Sequence, residues 1–183
     1  MTVENNKNTI ETNWYVITGG PSTGKTTTVN LLHDRGYKTI IEHARHYIDT
    51  MRLEGQSTKE IVSNKRKFQL GILDMQLEQE ASLMPNEMVF LDRAIPDALA
   101  YYRFLGLEID DILTKALESV SYKKIFMLDR LQLVKDYARL ENEQDQIRIH
   151  DLICDVYREL RFPMLHVPVL KPDERVDYIL QNL

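Results

Sequence analysis

Eight consecutive residues, Gly19-Gly20-Pro21-Ser22-Thr23-Gly24-Lys25-Thr26, have the spacing G-x-x-x-x-G-K-[ST]. Glycines at those places let successive backbone N–H groups turn inward around phosphate oxygens. Lys25 then reaches the β- and γ-phosphates of a nucleoside triphosphate, and the Thr26 hydroxyl binds Mg²⁺. A helix opening at Lys25 points its positive end at the anion. The expected nucleotide contacts are Gly19, Gly20, Pro21, Ser22, Thr23, Gly24, Lys25, Thr26 and Thr27. A chance match somewhere in 183 residues has odds of roughly 0.6% at average residue frequencies. Context lowers those odds further: the apolar run WYVIT precedes the motif and Val29, Leu31 and Leu32 follow it, giving the strand, loop and helix that the mechanism needs.

A triphosphate site also needs an acid at the end of a neighbouring strand to hold the metal's water shell, and Asp92, directly after Met88-Val89-Phe90-Leu91, fits. Its other possible tasks are capping the helix that begins near Pro96 and pairing with Arg93. Arg93 stands where many motor ATPases carry the Glu that activates water, which argues against hydrolysis as the main chemistry. Glu42 ends the apolar run 37–41, and in a parallel sheet the carboxyl ends of the strands face the ligand crevice. It is the candidate general base, deprotonating a substrate hydroxyl for attack on the γ-phosphate. Arg45, three residues on, would bind an anionic substrate group or else pair with Glu42 on the surface. Between Leu128 and Asn142 a polar segment carrying Arg130, Lys135 and Arg139 reads as a lid. Arg139 is its candidate for spreading the charge of the transferring phosphoryl group, the alternative being an ordinary solvated arginine.

Five runs rich in Val, Ile, Leu, Phe and Tyr are the strands that would position these groups: 14–18, 37–41, 88–91, 124–128 and 164–169. Several are apolar without alternation, as strands buried on both faces are, which points to a parallel sheet covered by helices. Between them the spacing is helical, with Ile149, Leu152, Ile153, Val156 and Leu160 on one stripe and Val176, Ile179, Leu180 and Leu183 on another. Pro172 followed by Asp173 and Glu174 marks a helix start, and Gly106 after 97–105 marks a helix end. Residues 59–83 read as one long helix with Phe68, Ile72 and Met75 on a face and Gly71 as its weak point. Strands alternating with helices give an α/β class. The expected organisation is a disordered tail over 1–13 and one domain over 14–183.

With 43% hydrophobic and 28% charged residues the composition is that of an ordinary globular domain. A chain of this length hides roughly 70% of its unfolded surface and needs no disulfide or structural metal. Cys154, the single cysteine, lies among Leu152, Ile153 and Val156 and reads as a buried thiol in a reducing compartment. A formal net charge of −5, with no Lys/Arg run interleaved with aromatics, argues against nucleic acid as a main partner. The N-terminal stretch has no signal-like apolar core, and no segment approaches the roughly 18 apolar residues of a membrane span. A cytoplasmic location is expected. The absence of an N-K-x-D motif favours ATP, with GTP as the alternative.

The segments ITGGPSTGKTT, IIEHARHYID, FLDRAIPDALAYYRFLG, the region of Arg139, and VYREL with HVPVLKPDERVDYIL together span most of the chain. They resemble the small P-loop kinase-like domains called NadR-type AAA domains, related to the nicotinamide riboside kinase part of NadR, and are similar also to deoxynucleoside kinases. The resemblance implies a five-stranded parallel sheet in the order 2-3-1-4-5, helices on both faces and a lid after the fourth strand. It implies a glutamate base at Glu42, and an acidic-Arg pair, here Asp92-Arg93 rather than Glu-Arg, serving metal and phosphates. The motor-type AAA apparatus is missing, so no remodelling ring is implied. The expected function is a Mg-ATP-dependent kinase that phosphorylates a hydroxyl of a nucleoside-like metabolite. Lys25, Glu42, Asp92, Arg93 and Arg139 would be its catalytic residues, Glu42, Arg45 and Arg93 would meet the substrate, and Thr26 and Asp92 would hold the metal. The competing expectation is a nucleotide-dependent switch acting through a protein partner.

Overall fold

The computed structural model describes residues 10–41, 43–131 and 142–183. Glu42 and Arg139 lie outside the described residues. Five strands, β1 (Trp14–Thr18), β2 (Lys38–Ile40), β3 (Val89–Asp92), β4 (Lys124–Leu128) and β5 (Met164–Val167), form one sheet in the order β2-β3-β1-β4-β5, parallel throughout. The helices are α1 (Lys25–Asp34), α2 (His43–Leu53), α3 (Thr58–Ser63), α4 (Lys65–Ala81), α5 (Ile95–Leu105), α6 (Asp111–Ser119), α7 (Glu143–Glu159) and α8 (Pro172–Gln181). The α/β class is the one read from the strand and helix pattern, and the sheet order is the one the resemblance implies.

The period-two geometry of β1 sends Trp14 and Val16 to one face of the sheet and Tyr15 and Ile17 to the other. The first face is covered by α4, α5, α6 and α7, with Leu73, Leu99, Tyr102, Leu113, Ile153 and Val156 in its core. The second is covered by α1 and α8, through Val29, Leu32, Val176 and Ile179. β1, β3 and β4 are buried along nearly their whole length, which accounts for their unalternating apolar sequences. β2 lies at the edge, half exposed.

Several boundaries differ from the sequence reading. Residues 59–83 are two helices, and the break falls at Asn64, not at Gly71. Asn64 leaves helical geometry (φ −89°, ψ 83°), and its side chain accepts the Lys67 N–H as the cap of α4. Gly71 is instead a contact point for α2: a Cβ there would lie 2.2 Å from Tyr47 Cε2. β5 stops at Val167 because Pro168 follows, which has no N–H to continue the ladder. The body of the domain takes in residues before Trp14. Thr12 Oγ1 donates to Ser121 O at 2.5 Å and Asn13 N–H to Pro85 O at 2.6 Å, so these two residues, expected in a tail, are tied to the body of the domain. Among the described residues no helix is long and apolar enough to cross a membrane.

Candidate functional site

Parallel pairing sets Ile17 of β1 opposite Asp92 of β3, so the loop leaving β1 opens beside the acidic end of β3. In that loop Gly19, Ser22 and Gly24 have positive φ (144°, 61° and 82°), winding the chain back on itself before α1. A Cβ on Gly19 would meet the backbone Leu128 O at 2.8 Å, so space as well as conformation requires glycine there, while at Gly24 the requirement is the left-handed φ. Gly24, at the N-cap of α1, has no side chain with which to cap the N–H groups of the first turn. Thr26 and Thr27 are exposed on that turn, and Lys25, its first residue, is 6% exposed. The Lys25 ammonium bridges the loop, donating to Gly20 O at 2.8 Å and Thr23 Oγ1 at 3.3 Å.

Three side chains from distant parts of the chain hold the loop from behind. Arg93, directly after β3, donates through Nη1 to Gly19 O at 3.3 Å. His150 on α7 accepts the Gly20 N–H on Nδ1 at 3.0 Å. Arg175 on α8 donates through Nη1 to Thr23 O at 2.9 Å. Arg175 is 4% exposed and has no carboxylate in ion-pair contact among the described residues. Burial lowers its pKa from the ordinary arginine value, opposed by the field of Asp129.

The two acids at the end of β3 have separate surroundings. Asp92 is 1% exposed at the strand terminus. Asp97, 2% exposed in the first turn of α5, is the centre of a buried network. Its Oδ1 accepts from Thr18 Oγ1 at 2.6 Å and Arg93 Nη1 at 2.9 Å, and its Oδ2 from Ala94 N–H at 3.2 Å and Tyr157 Oη at 2.7 Å. Burial, and next the charge of Asp97, push the Tyr157 phenol well above its usual pKa and keep it a donor. Asp97 caps α5 and pairs with Arg93. Arg93 itself takes left-handed geometry (φ 68°), is buried, and has its guanidinium 5.3 Å from the Tyr101 ring.

Lys25, Thr26, Asp92 and Arg93 are thus brought to one end of the sheet around the loop. Arg45 is exposed on α2. A cavity of about 410 Å³ lies against β2 and α4, lined by residues that include Ile41 and His43, the neighbours of Glu42. A second, of about 560 Å³, lies between α2 and α4 beside Tyr47, Arg66 and Asp74. Neither lining contains Arg45 or Arg93. Sequence reasoning missed Asp97, His150 and Arg175. Asp97 has the look of an ordinary first-turn helix acid. The other two carried a faint signal: His150 and Arg175 are polar residues set next to the apolar stripes of Ile149 and Val176.

The fold recurs in solved structures. Deoxyadenosine kinase from M. mycoides with products dCMP and dCDP superimposes with a TM-score of 0.64 at 15% identity, covering 92% of this chain and 97% of that one. NadR in complex with NR gives 0.66 at 17%, covering 94% of this chain and 49% of NadR. Thymidylate kinase from Ehrlichia chaffeensis gives 0.63 at 14%, covering 94% and 98%. No curated protein matches the chain in sequence. A family profile described as an AAA domain matches residues 14–175. Because that match runs from the first residue of β1 to Arg175, across the loop and all three side chains behind it, the chain belongs to the AAA-domain family.

Proposed function

We propose that the protein is a Mg-ATP-dependent small-molecule kinase that transfers the γ-phosphoryl group to a hydroxyl of a nucleoside-like metabolite. The loop suits a triphosphate: Gly19, Ser22 and Gly24 wind it through positive φ, a Cβ at Gly19 would strike the Leu128 carbonyl, and Thr26 is open to solvent. The observation that carries transfer over hydrolysis is Arg93. The place after Asp92 from which motor ATPases activate water is filled by a buried guanidinium bonded to Asp97 and to the loop. The likeness in fold to deoxyadenosine kinase, NadR and thymidylate kinase supports the same reading.

Mg-ATP supplies the phosphoryl group and an ion that neutralises its charge. Thr26 would hold the ion by its hydroxyl and Asp92 through the water shell. Asp92 suits that task by its place, buried at the end of β3 beside the strand that feeds the loop. Lys25, held at the loop by Gly20 O and Thr23 Oγ1, would reach phosphate oxygens from there. Glu42, between Ile41 and His43, would orient and deprotonate the acceptor hydroxyl, and the cavity against those neighbours has room for a small molecule. Arg45 would steady the acceptor, and Arg139 would close over the transferring group.

Calorimetric titration with Mg-ATP is the first test. Lys25→Ala should abolish binding without unfolding the domain, and unchanged affinity would remove the nucleotide assignment. Glu42→Gln should spare Mg-ATP affinity and remove transfer, whereas Asp92→Asn should weaken Mg²⁺ dependence and turnover together. A thermal-shift screen of nucleosides and vitamins with a non-hydrolysable ATP analogue identifies the acceptor by mass action. Wild-type protein that binds Mg-ATP yet phosphorylates no stabilising compound would shift the reading to a nucleotide-dependent switch.

A further inference from the structure

One peptide unit of the loop, Gly19 C=O to Gly20 N–H, is gripped at both ends. Arg93 Nη1 donates to its oxygen at 3.3 Å, and His150 Nδ1 accepts its N–H at 3.0 Å. The oxygen and hydrogen of a trans peptide point in opposite directions, so the two side chains fix its plane from opposite sides. The next carbonyl, Gly20 O, then receives both the Lys25 ammonium at 2.8 Å and Thr23 Oγ1 at 3.1 Å. The fit on the α7 side is close: a Cβ on Gly20 would lie 2.7 Å from His150 Cβ and 3.1 Å from Gln146 O. His150 is 9% exposed, so this hydrogen bond is made largely out of solvent.

We propose that His150 is a positioning residue for nucleotide binding, whose neutral imidazole, protonated on Nε2 and not on Nδ1, holds the Gly19–Gly20 peptide in the orientation that presents Lys25 to the phosphates. The inference rests on the nucleotide reading above and adds to it a proton requirement. An imidazolium carries a hydrogen on Nδ1 and would set donor against donor at Gly20. The peptide would then have to rotate, breaking its contact with Arg93 and shifting the carbonyl on which Lys25 rests.

The surroundings favour the neutral ring. Burial pushes the His150 pKa below the ordinary histidine value. Asp151 on the same helix and Asp129 after β4 oppose this, while Arg130 after β4 and His166 on β5 reinforce it. The Lys25 ammonium, bonded to Gly20 O, adds a cation from the loop. The sign follows. Neutral His150 is the binding-competent form, so Mg-ATP affinity is full above the histidine pKa and falls as pH drops through it. By linkage, bound Mg-ATP must lower that pKa further.

The experiment is a calorimetric Mg-ATP titration at pH 7.5 and pH 5.5 on wild type, His150→Asn and His150→Leu. The asparagine oxygen takes the place of Nδ1 as acceptor and does not titrate. The terminal phosphate of ATP itself titrates near pH 6, so the readout is the ratio of wild type to His150→Asn at each pH. That ratio should be near one at pH 7.5 and fall by about fivefold at pH 5.5, while His150→Leu binds about fivefold or more weakly at both, as expected for loss of one buried hydrogen bond. Equal pH profiles in wild type and His150→Asn would overturn the proposal while leaving nucleotide binding in place. Absence of binding by wild type at pH 7.5 would overturn both. Wild-type protein alone gives a further check: the NMR titration of His150 should move to lower pH when Mg-ATP is added, and an unmoved titration would also refute the proposal.

Discussion

Asp97→Asn exchanges one carboxylate oxygen for an amide at the centre of the buried network. The aspartate has four donors around it, Thr18 Oγ1, Arg93 Nη1, Ala94 N–H and Tyr157 Oη. Asparagine can place its oxygen toward two of them, but its NH₂ then faces the other two. The Tyr157 hydroxyl can rotate to accept, whereas the Ala94 amide cannot, so the cap of α5 is lost. The larger cost is electrostatic, since Arg93 is 8% exposed and loses the carboxylate that pairs with it. Breaking a buried pair from one side costs about 3–5 kcal/mol. In a domain of this size that is a fall in Tm of roughly 6–20 °C. Urea unfolding followed by the fluorescence of Trp14, the single and buried tryptophan, measures it directly. Thr18→Val and Tyr157→Phe, each deleting one bond, should cost about 1 kcal/mol apiece. An Asp97→Asn loss under about 1 kcal/mol would show that Arg93 does not depend on Asp97.

Arg175→Met is expected to separate stability from binding. Removing a buried cation without a carboxylate partner should change unfolding free energy by about 1 kcal/mol or less. Loss of its charge-assisted bond to Thr23 O should weaken Mg-ATP by about tenfold or more, and AMP by less, in parallel titrations. Glu80 gives a pH signature. Burial raises its carboxyl to about 8, opposed by hydrogen bonds from Tyr122 Oη and the Ile95 N–H. The folded state prefers the protonated acid, so this stabilisation is full below pH 4.5 and drains away as pH rises through about 8. Glu80→Gln should flatten the fall in stability between pH 5 and pH 9, and an unchanged slope in urea denaturation would exclude Glu80 as its source.

The sheet and the phosphate loop were legible because their signals are local. WYVIT followed by the glycine-lysine motif specifies strand, turn and helix within 20 residues, and burial on both faces leaves β1, β3 and β4 apolar enough to stand out. The break at Asn64 was hidden because good helix formers, Lys65, Arg66 and Lys67, follow it directly, and only the cap on the Lys67 N–H decides between one helix and two. Gly71 misled for a related reason: the Tyr47 ring that needs the missing Cβ comes from another helix. His150 and Arg175 meet the loop across 130 and 152 residues of sequence, and no spacing rule reaches that far. Asp97 was in plain view, but choosing between Asp92 and Asp97 as the partner of Arg93 requires the left-handed turn at Arg93 itself.

The backing of the loop sets an order on the protein's biosynthesis. Ribosomes deliver residues 19–26 long before the last of the three side chains behind them, Arg175 on α8. A nascent chain that has emerged only through β4 already carries the full motif but lacks both His150 and Arg175. Its glycines would be free to sample other conformations, and its buried cation would be absent. The site would therefore mature late, switched on by docking of α7 and α8 instead of by completion of the segment that bears its signature.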